Sequence, residues 1–143
     1  MGKKKIFRKT AEPTSYNEKA RSVTAVLATE TPVKVYDFLA GGGTIDEVLL
    51  MSGAVLPESG RIPFLDSHNQ SSVRNIIGSC RELRIEGDQL VADIFFSDDN
   101  GGQIVEKLAR DGHLTDLSVG AAVLDAYTIT EGQTENINGK NYE

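Results

Sequence analysis

Several stretches of the chain alternate apolar and polar residues at period two, the spacing of a half-buried β-strand. Residues 22–28 put Val23, Ala25 and Leu27 on one face, and residues 33–38 form a second short strand. Gly41-Gly42-Gly43 then interrupts the chain before residues 45–51. This triple glycine lacks the Lys-Ser/Thr that ends a phosphate-binding loop, so it reads as a turn. Residues 76–85 and 89–96 make the strongest hairpin pattern, joined through Glu86-Gly87-Asp88, with Leu90, Ala92, Ile94 and Phe96 sharing a face. A hairpin patterned in this way predicts an antiparallel sheet.

One helix is predicted after that hairpin. Asp98, Asp99 or Asn100 can cap it, Ile104, Val105 and Leu108 form the apolar stripe expected to pack on the sheet, Glu106 can pair with Arg110, and Gly112 stops it. Residues 114–127 return as a strand, with Leu117, Val119, Ala121 and Val123 on one face and Ser118, Gly120, Ala122 and Leu124 on the other. Residues 128–143 are polar and turn-rich. The elements add up to an α+β class that is mostly antiparallel, in three parts: a basic leader without stable order (1–21), a central domain (22–127) and a polar C-terminal segment (128–143).

Composition fits one globular domain: 143 residues, 39% hydrophobic and 25% charged. The net charge of −6 is unevenly spread. Residues 1–21 hold seven Lys/Arg against Glu12 and Glu18, a local +5; removing that from the total leaves −11 on the remainder. A basic leader ahead of an acidic body can touch an acidic partner, but as a nucleic-acid arm it lacks interleaved aromatics beyond Phe7 and Tyr16. No apolar run reaches the roughly 18 residues of a membrane helix, and no secretory signal is visible, so a cytosolic setting without membrane contact is expected. The single Cys80 cannot form an internal disulfide and reads as a small buried hydrophobe in a strand.

Candidate chemistry narrows quickly because only two histidines, His68 and His113, are available as an imidazole base. His68 ends a short apolar approach, Ile62-Pro63-Phe64-Leu65, that runs into the polar cluster Asp66-Ser67-His68-Asn69. Ser118 is the serine of interest: it lies within an apolar strand beside Gly120 on its own face, where the missing side chain leaves room for a substrate backbone or an oxyanion. His113 follows Gly112 at a helix end and is only five residues from Ser118, a reach that points the two side chains apart; His68 arrives from a separate segment. Backbone amides near Gly120 or in the loop 71–74, with Arg74 as a helper, are the candidate oxyanion donors. A metal site built on His68, Asp66 and His113 lacks the spacings that make zinc sites specific, and no cofactor is expected.

The order Ile62-Pro63-Phe64-Leu65-Asp66-Ser67-His68-Asn69, then Ile77-Gly78-Ser79, then Gly112-His113-Leu114 leading into Leu117-Ser118-Val119-Gly120 resembles the prohead serine proteases of tailed phages over residues 22–125. The resemblance implies His68 as general base and Ser118 as nucleophile, 50 positions apart, on a mostly antiparallel β-barrel with surrounding helices like that of the herpesvirus assembly proteases. It also implies a role inside the procapsid, in the host bacterial cytoplasm. There the protease would cleave the scaffold or the N-terminal extension of the major capsid protein, and itself. Asn69 departs from the acidic residue often found after the histidine. The group that orients the base stays open between Glu135, Glu143 and a residue outside this chain, the chain being then truncated or autoprocessed; self-association is open as well. The alternatives from other classes are a non-catalytic capsid-assembly or scaffold-binding module on the same fold and a nucleic-acid-binding barrel.

Overall fold

Strand pairing in this computed structural model follows the alternation in the sequence closely. The structure describes residues 15–37, 42–115 and 117–143, together with the main chain of 4–8. In chain order its strands are β1 (Lys4–Arg8), β2 (Tyr16–Asn17), β3 (Ser22–Thr29), β4 (Val33–Tyr36), β5 (Thr44–Glu47), β6 (Ile62–Leu65), β7 (Ile76–Glu86) and β8 (Gln89–Phe96). The helix α1 (Asn100–Arg110) follows, and then β9 (Leu117–Ala121), β10 (Glu135–Ile137) and β11 (Lys140–Tyr142).

Five strands form one antiparallel sheet in the order β2-β3-β8-β7-β6. Three two-stranded ribbons, β1-β9, β4-β5 and β10-β11, hold the other strands of the described residues. The fold is therefore α+β and mostly antiparallel, with a single α-helix among the described residues. Among the described residues the expected closed barrel is not formed. Closure would require the two sheet edges to pair, but β2 covers only Ser22 and Val23 of β3, and the opposite edge is the four-residue β6. Pro63, which has no N–H to donate, sits on that edge, where a proline is tolerated.

The β7-β8 hairpin turns at Gly87-Asp88, with Glu86 opposite Gln89 and Gly87 at φ 62°, the left-handed value such tight turns require. Leu90, Ala92, Ile94 and Phe96 are all buried, as are Val23, Ala25 and Leu27 of the neighbouring β3, so the sheet's inner face is the core. The outer face is polar: Thr24 Oγ1 donates to Asp93 at 2.8 Å, and the Arg81 guanidinium lies 4.3 Å from the centre of the Phe95 ring.

Helix α1 departs from the expected orientation. Asp99 is its cap, its Oδ1 accepting from Gly102 N at 2.8 Å. The face turned to the protein carries Gly102, Glu106 and Ala109, and Val105 of the expected stripe packs against the core, while Ile104 and Leu108 are exposed. The reason is Glu106: Tyr16 Oη donates to its Oε1 at 2.6 Å and Arg21 Nε at 3.0 Å. This cluster holds Glu106 against the protein, and the charge of Arg110, its partner by spacing, acts on the same carboxylate. The later strand is also shorter than the alternation implies, with β9 ending at Ala121 and Leu124 and Tyr127 exposed beyond it. At the other end of the chain, segments of the leader are ordered as β1 and β2.

Candidate active site

His68 is presented by a 3-10 turn, Asp66–His68, that directly follows β6. Ser67 and His68 both adopt left-handed backbone, with φ 52° and 55°. That conformation costs a residue with a Cβ about 1–2 kcal/mol, so the surrounding contacts must hold it. Two of them are visible: Ser67 Oγ donates to Asp66 Oδ1 and Asn69 N donates to Asp66 O, each at 2.8 Å. The turn re-aims the side chain at the point where the edge strand ends.

Ser118 is the second residue of β9. Leu117 before it is buried in the core, and Ser118 itself is half-buried. The two side chains meet: His68 Nε2 and Ser118 Oγ are hydrogen-bonded across 50 positions of sequence. The pair proposed from sequence order is thus adjacent in space. Strand β9 pairs antiparallel with β1, with Phe7 the register partner of Ser118. The sequence offered little sign of this, because β1 carries Ile6 and Phe7 in a basic run without sustained alternation.

The other candidates lie elsewhere. His113 is exposed at the C-terminal end of α1, its backbone N donating to Leu108 O at 2.8 Å, and its charge acts on Asp111. The Lys107 ammonium, first, holds the Asp111 carboxyl below its ordinary value. Cys80 is 4% exposed in β7, opposite Ile62 and Ile94, and burial pushes its thiol up to about 12. A thiol so placed is not a nucleophile at neutral pH.

In the loop 71–74 expected to supply oxyanion donors two amides are already engaged, and so is that of Asn75 just after it. Ser71 N donates to Asn69 Oδ1 at 3.0 Å, Arg74 N to Ser72 Oγ at 3.2 Å and Asn75 N to Ser72 O at 3.1 Å. The Arg74 side chain is exposed. Beside Ser118, a Cβ added to Gly120 would meet nothing within 4 Å, so the space on that face is open.

Glu135 and Glu143 do not sit against the imidazole. Both are exposed on or beside the β10-β11 hairpin, which Lys140 ties to Glu30 and Asp88, each at 3.2 Å. Asp88 lies in the β7-β8 turn, whereas His68 follows the opposite end of the sheet, where Leu65 pairs with Ile76. Strand β7 is about 33 Å long at 3.3 Å per residue, which separates the two ends.

No group of three or more His, Cys, Asp or Glu side chains suited to a metal ion occurs among the described residues, and no described helix is long and apolar enough to cross a membrane. No protein-family model, curated protein or solved structure matches the chain. A half-buried hydroxyl bonded to an imidazole nitrogen is the arrangement in which the ring can take the hydroxyl proton while the oxygen attacks an electrophilic carbon.

Proposed function

We propose that this chain is a serine endopeptidase of phage procapsid maturation, with Ser118 as nucleophile and His68 as general base. The observation that carries the reading is the Ser118–His68 hydrogen bond, which joins two segments 50 residues apart at the end of the sheet. The order of motifs along the chain, which resembles the prohead proteases and through them the herpesvirus assembly proteases, supplies the biological setting. In that setting the substrates are the scaffold or the N-terminal extension of the major capsid protein, and the protease itself.

In the proposed reaction the Ser118 Oγ–H proton passes to His68 Nε2 as Oγ bonds to the scissile carbonyl carbon. The proton then goes to the leaving amine nitrogen as the C–N bond breaks, leaving an acyl-serine. Water repeats the sequence, the imidazole taking its proton, and the new carboxyl end is released with Ser118 restored. The left-handed turn at Ser67-His68 supports this reading, because strained backbone of that kind is retained where a side chain must be aimed.

The test is cleavage of the cognate capsid protein by the full chain and by Ser118→Ala. Loss of cleavage in the variant is expected, and undiminished cleavage would remove Ser118 as the nucleophile.

A further inference from the structure

Three glycines in regular elements show very different surroundings. A Cβ at Gly78 would lie 2.2 Å from the Phe95 carbonyl oxygen and one at Gly102 2.1 Å from the Ser97 carbonyl oxygen, so the fold itself demands glycine at both. Gly120 is the exception. It is a strand residue whose φ lies outside the left-handed region, it is exposed, and a Cβ there would meet nothing. Neither backbone conformation nor packing among the described residues calls for a glycine, and glycine inside a strand weakens it. The remaining reason for a bare Cα in a strand is the close approach of something outside the fold.

Position decides what approaches. Gly120 and Ser118 are two apart in β9 and share a face. Two residues of strand advance about 6.8 Å, the same repeat as two residues of an extended polypeptide. A chain whose scissile carbonyl sits on Ser118 Oγ, running extended along β9, therefore has its main chain over Gly120 one repeat away.

We infer, resting on the protease reading above, that Gly120 is a main-chain subsite: the bare Cα beside Ser118 seats the backbone of an extended polypeptide substrate. Its role is to position substrate, and it takes no part in the proton transfers. Selectivity at this point is for an unfolded or extended segment, since a folded surface cannot lie flat along the strand.

The experiment uses the full chain and a fluorophosphonate, which forms an Oγ–P bond on an activated serine with loss of fluoride and is small enough to need no extended subsite. Labelling of wild type, Gly120→Ala and Gly120→Leu is timed with and without excess unfolded casein, with melting curves to show that each variant is folded. The labelling rate of each chain without casein is the reference against which its own protection by casein is read. Casein protects wild type, whereas Gly120→Leu needs a concentration higher by about tenfold or more for the same protection, as expected of a side chain forced into an occupied space, with Gly120→Ala between the two. Equal protection of wild type and Gly120→Leu overturns the subsite, as does a failure of casein to protect wild type. If Gly120→Leu melts early, the same comparison on Gly120→Ala decides. Absence of labelling in wild type would instead remove the protease reading beneath it.

Discussion

His68 Nε2 and Ser118 Oγ share a hydrogen bond although one side chain hangs from a left-handed turn after an edge strand and the other from a strand of a separate ribbon. Such a pair activates the hydroxyl only while the ring nitrogen is there to take its proton. His68→Ala is expected to lower fluorophosphonate labelling of Ser118 by about 1,000-fold or more, and Ser118→Ala to abolish it at that site. His113→Ala supplies the control. Its side chain is exposed at the helix end, so labelling stays at the wild-type rate. Mass spectrometry of the labelled chain reads both outcomes, and equal losses from the two histidine variants would deny His68 its special place.

Cys80 should be silent. With Cys80 4% exposed and burial pushing its thiol up to about 12, almost none is thiolate at pH 8. Iodoacetamide is expected to leave the native chain unmodified and to alkylate it promptly in denaturant. Cys80→Ala should retain full serine labelling, whereas loss of labelling in that variant would give the thiol a part in the site.

The Arg21–Glu106 contact gives stability a pH dependence of defined sign. Arg21 donates from Nε to Oε1 at 3.0 Å, and this bond, ahead of the one from Tyr16, holds the Glu106 carboxyl below its ordinary value of 4.5. A carboxyl depressed by folding stabilises the native state above its unfolded pKa, and that contribution disappears as pH falls through the folded value. The melting temperature is therefore expected to fall as pH drops from 5 to 3. Arg21→Ala should melt several degrees below wild type at pH 7, and the gap should narrow at pH 3. Calorimetry at the two pH values checks this, and a gap that widens in acid would reverse the sign argued here.

Much of this architecture is legible in the sequence because period-two alternation reports burial directly. Val23, Ala25 and Leu27, and then Leu90, Ala92, Ile94 and Phe96, are buried as their spacing implies. The rotation of α1 was not legible, since Ile104 and Leu108 mark an apolar stripe that a long-range polar cluster overrides: Glu106 is drawn inward by Tyr16 and Arg21, 90 and 85 positions away. Leader strand β1 escaped for a related reason, as its place depends on pairing with β9 more than 100 residues on. The C-terminal hairpin did leave a signal, Asn138-Gly139, both with positive φ, the sequence of a tight two-residue turn. In the site, the pairing of Ser118 with His68 is legible from motif order, whereas the places of Glu135 and Glu143 are not, because carboxylates in a polar tail carry no pattern that fixes where they point.

Gly102 offers a test in which the usual rule changes sign. Inside an exposed helix, Gly→Ala stabilises by up to about 1 kcal/mol, because alanine has less backbone freedom to lose. At Gly102 the added methyl would lie 2.1 Å from the Ser97 carbonyl oxygen and 2.2 Å from its Oγ, and the first of these is backbone that cannot swing aside. The contact lets α1 start tightly against the end of β8, with Asp99 capping at the same place. Gly102→Ala is therefore expected to destabilise by about 1–3 kcal/mol, the usual cost of overpacking. Gly101→Ala is the matched control, since its methyl would meet the Ile77 Cγ2 methyl at 3.1 Å, where a shift of a few tenths of an ångström suffices, against 2.1 Å from backbone at Gly102. Thermal melts of the two variants should differ by several degrees, with Gly102→Ala the lower; a Gly102→Ala that melts at or above wild type would mean the helix does not seat against Ser97 in solution.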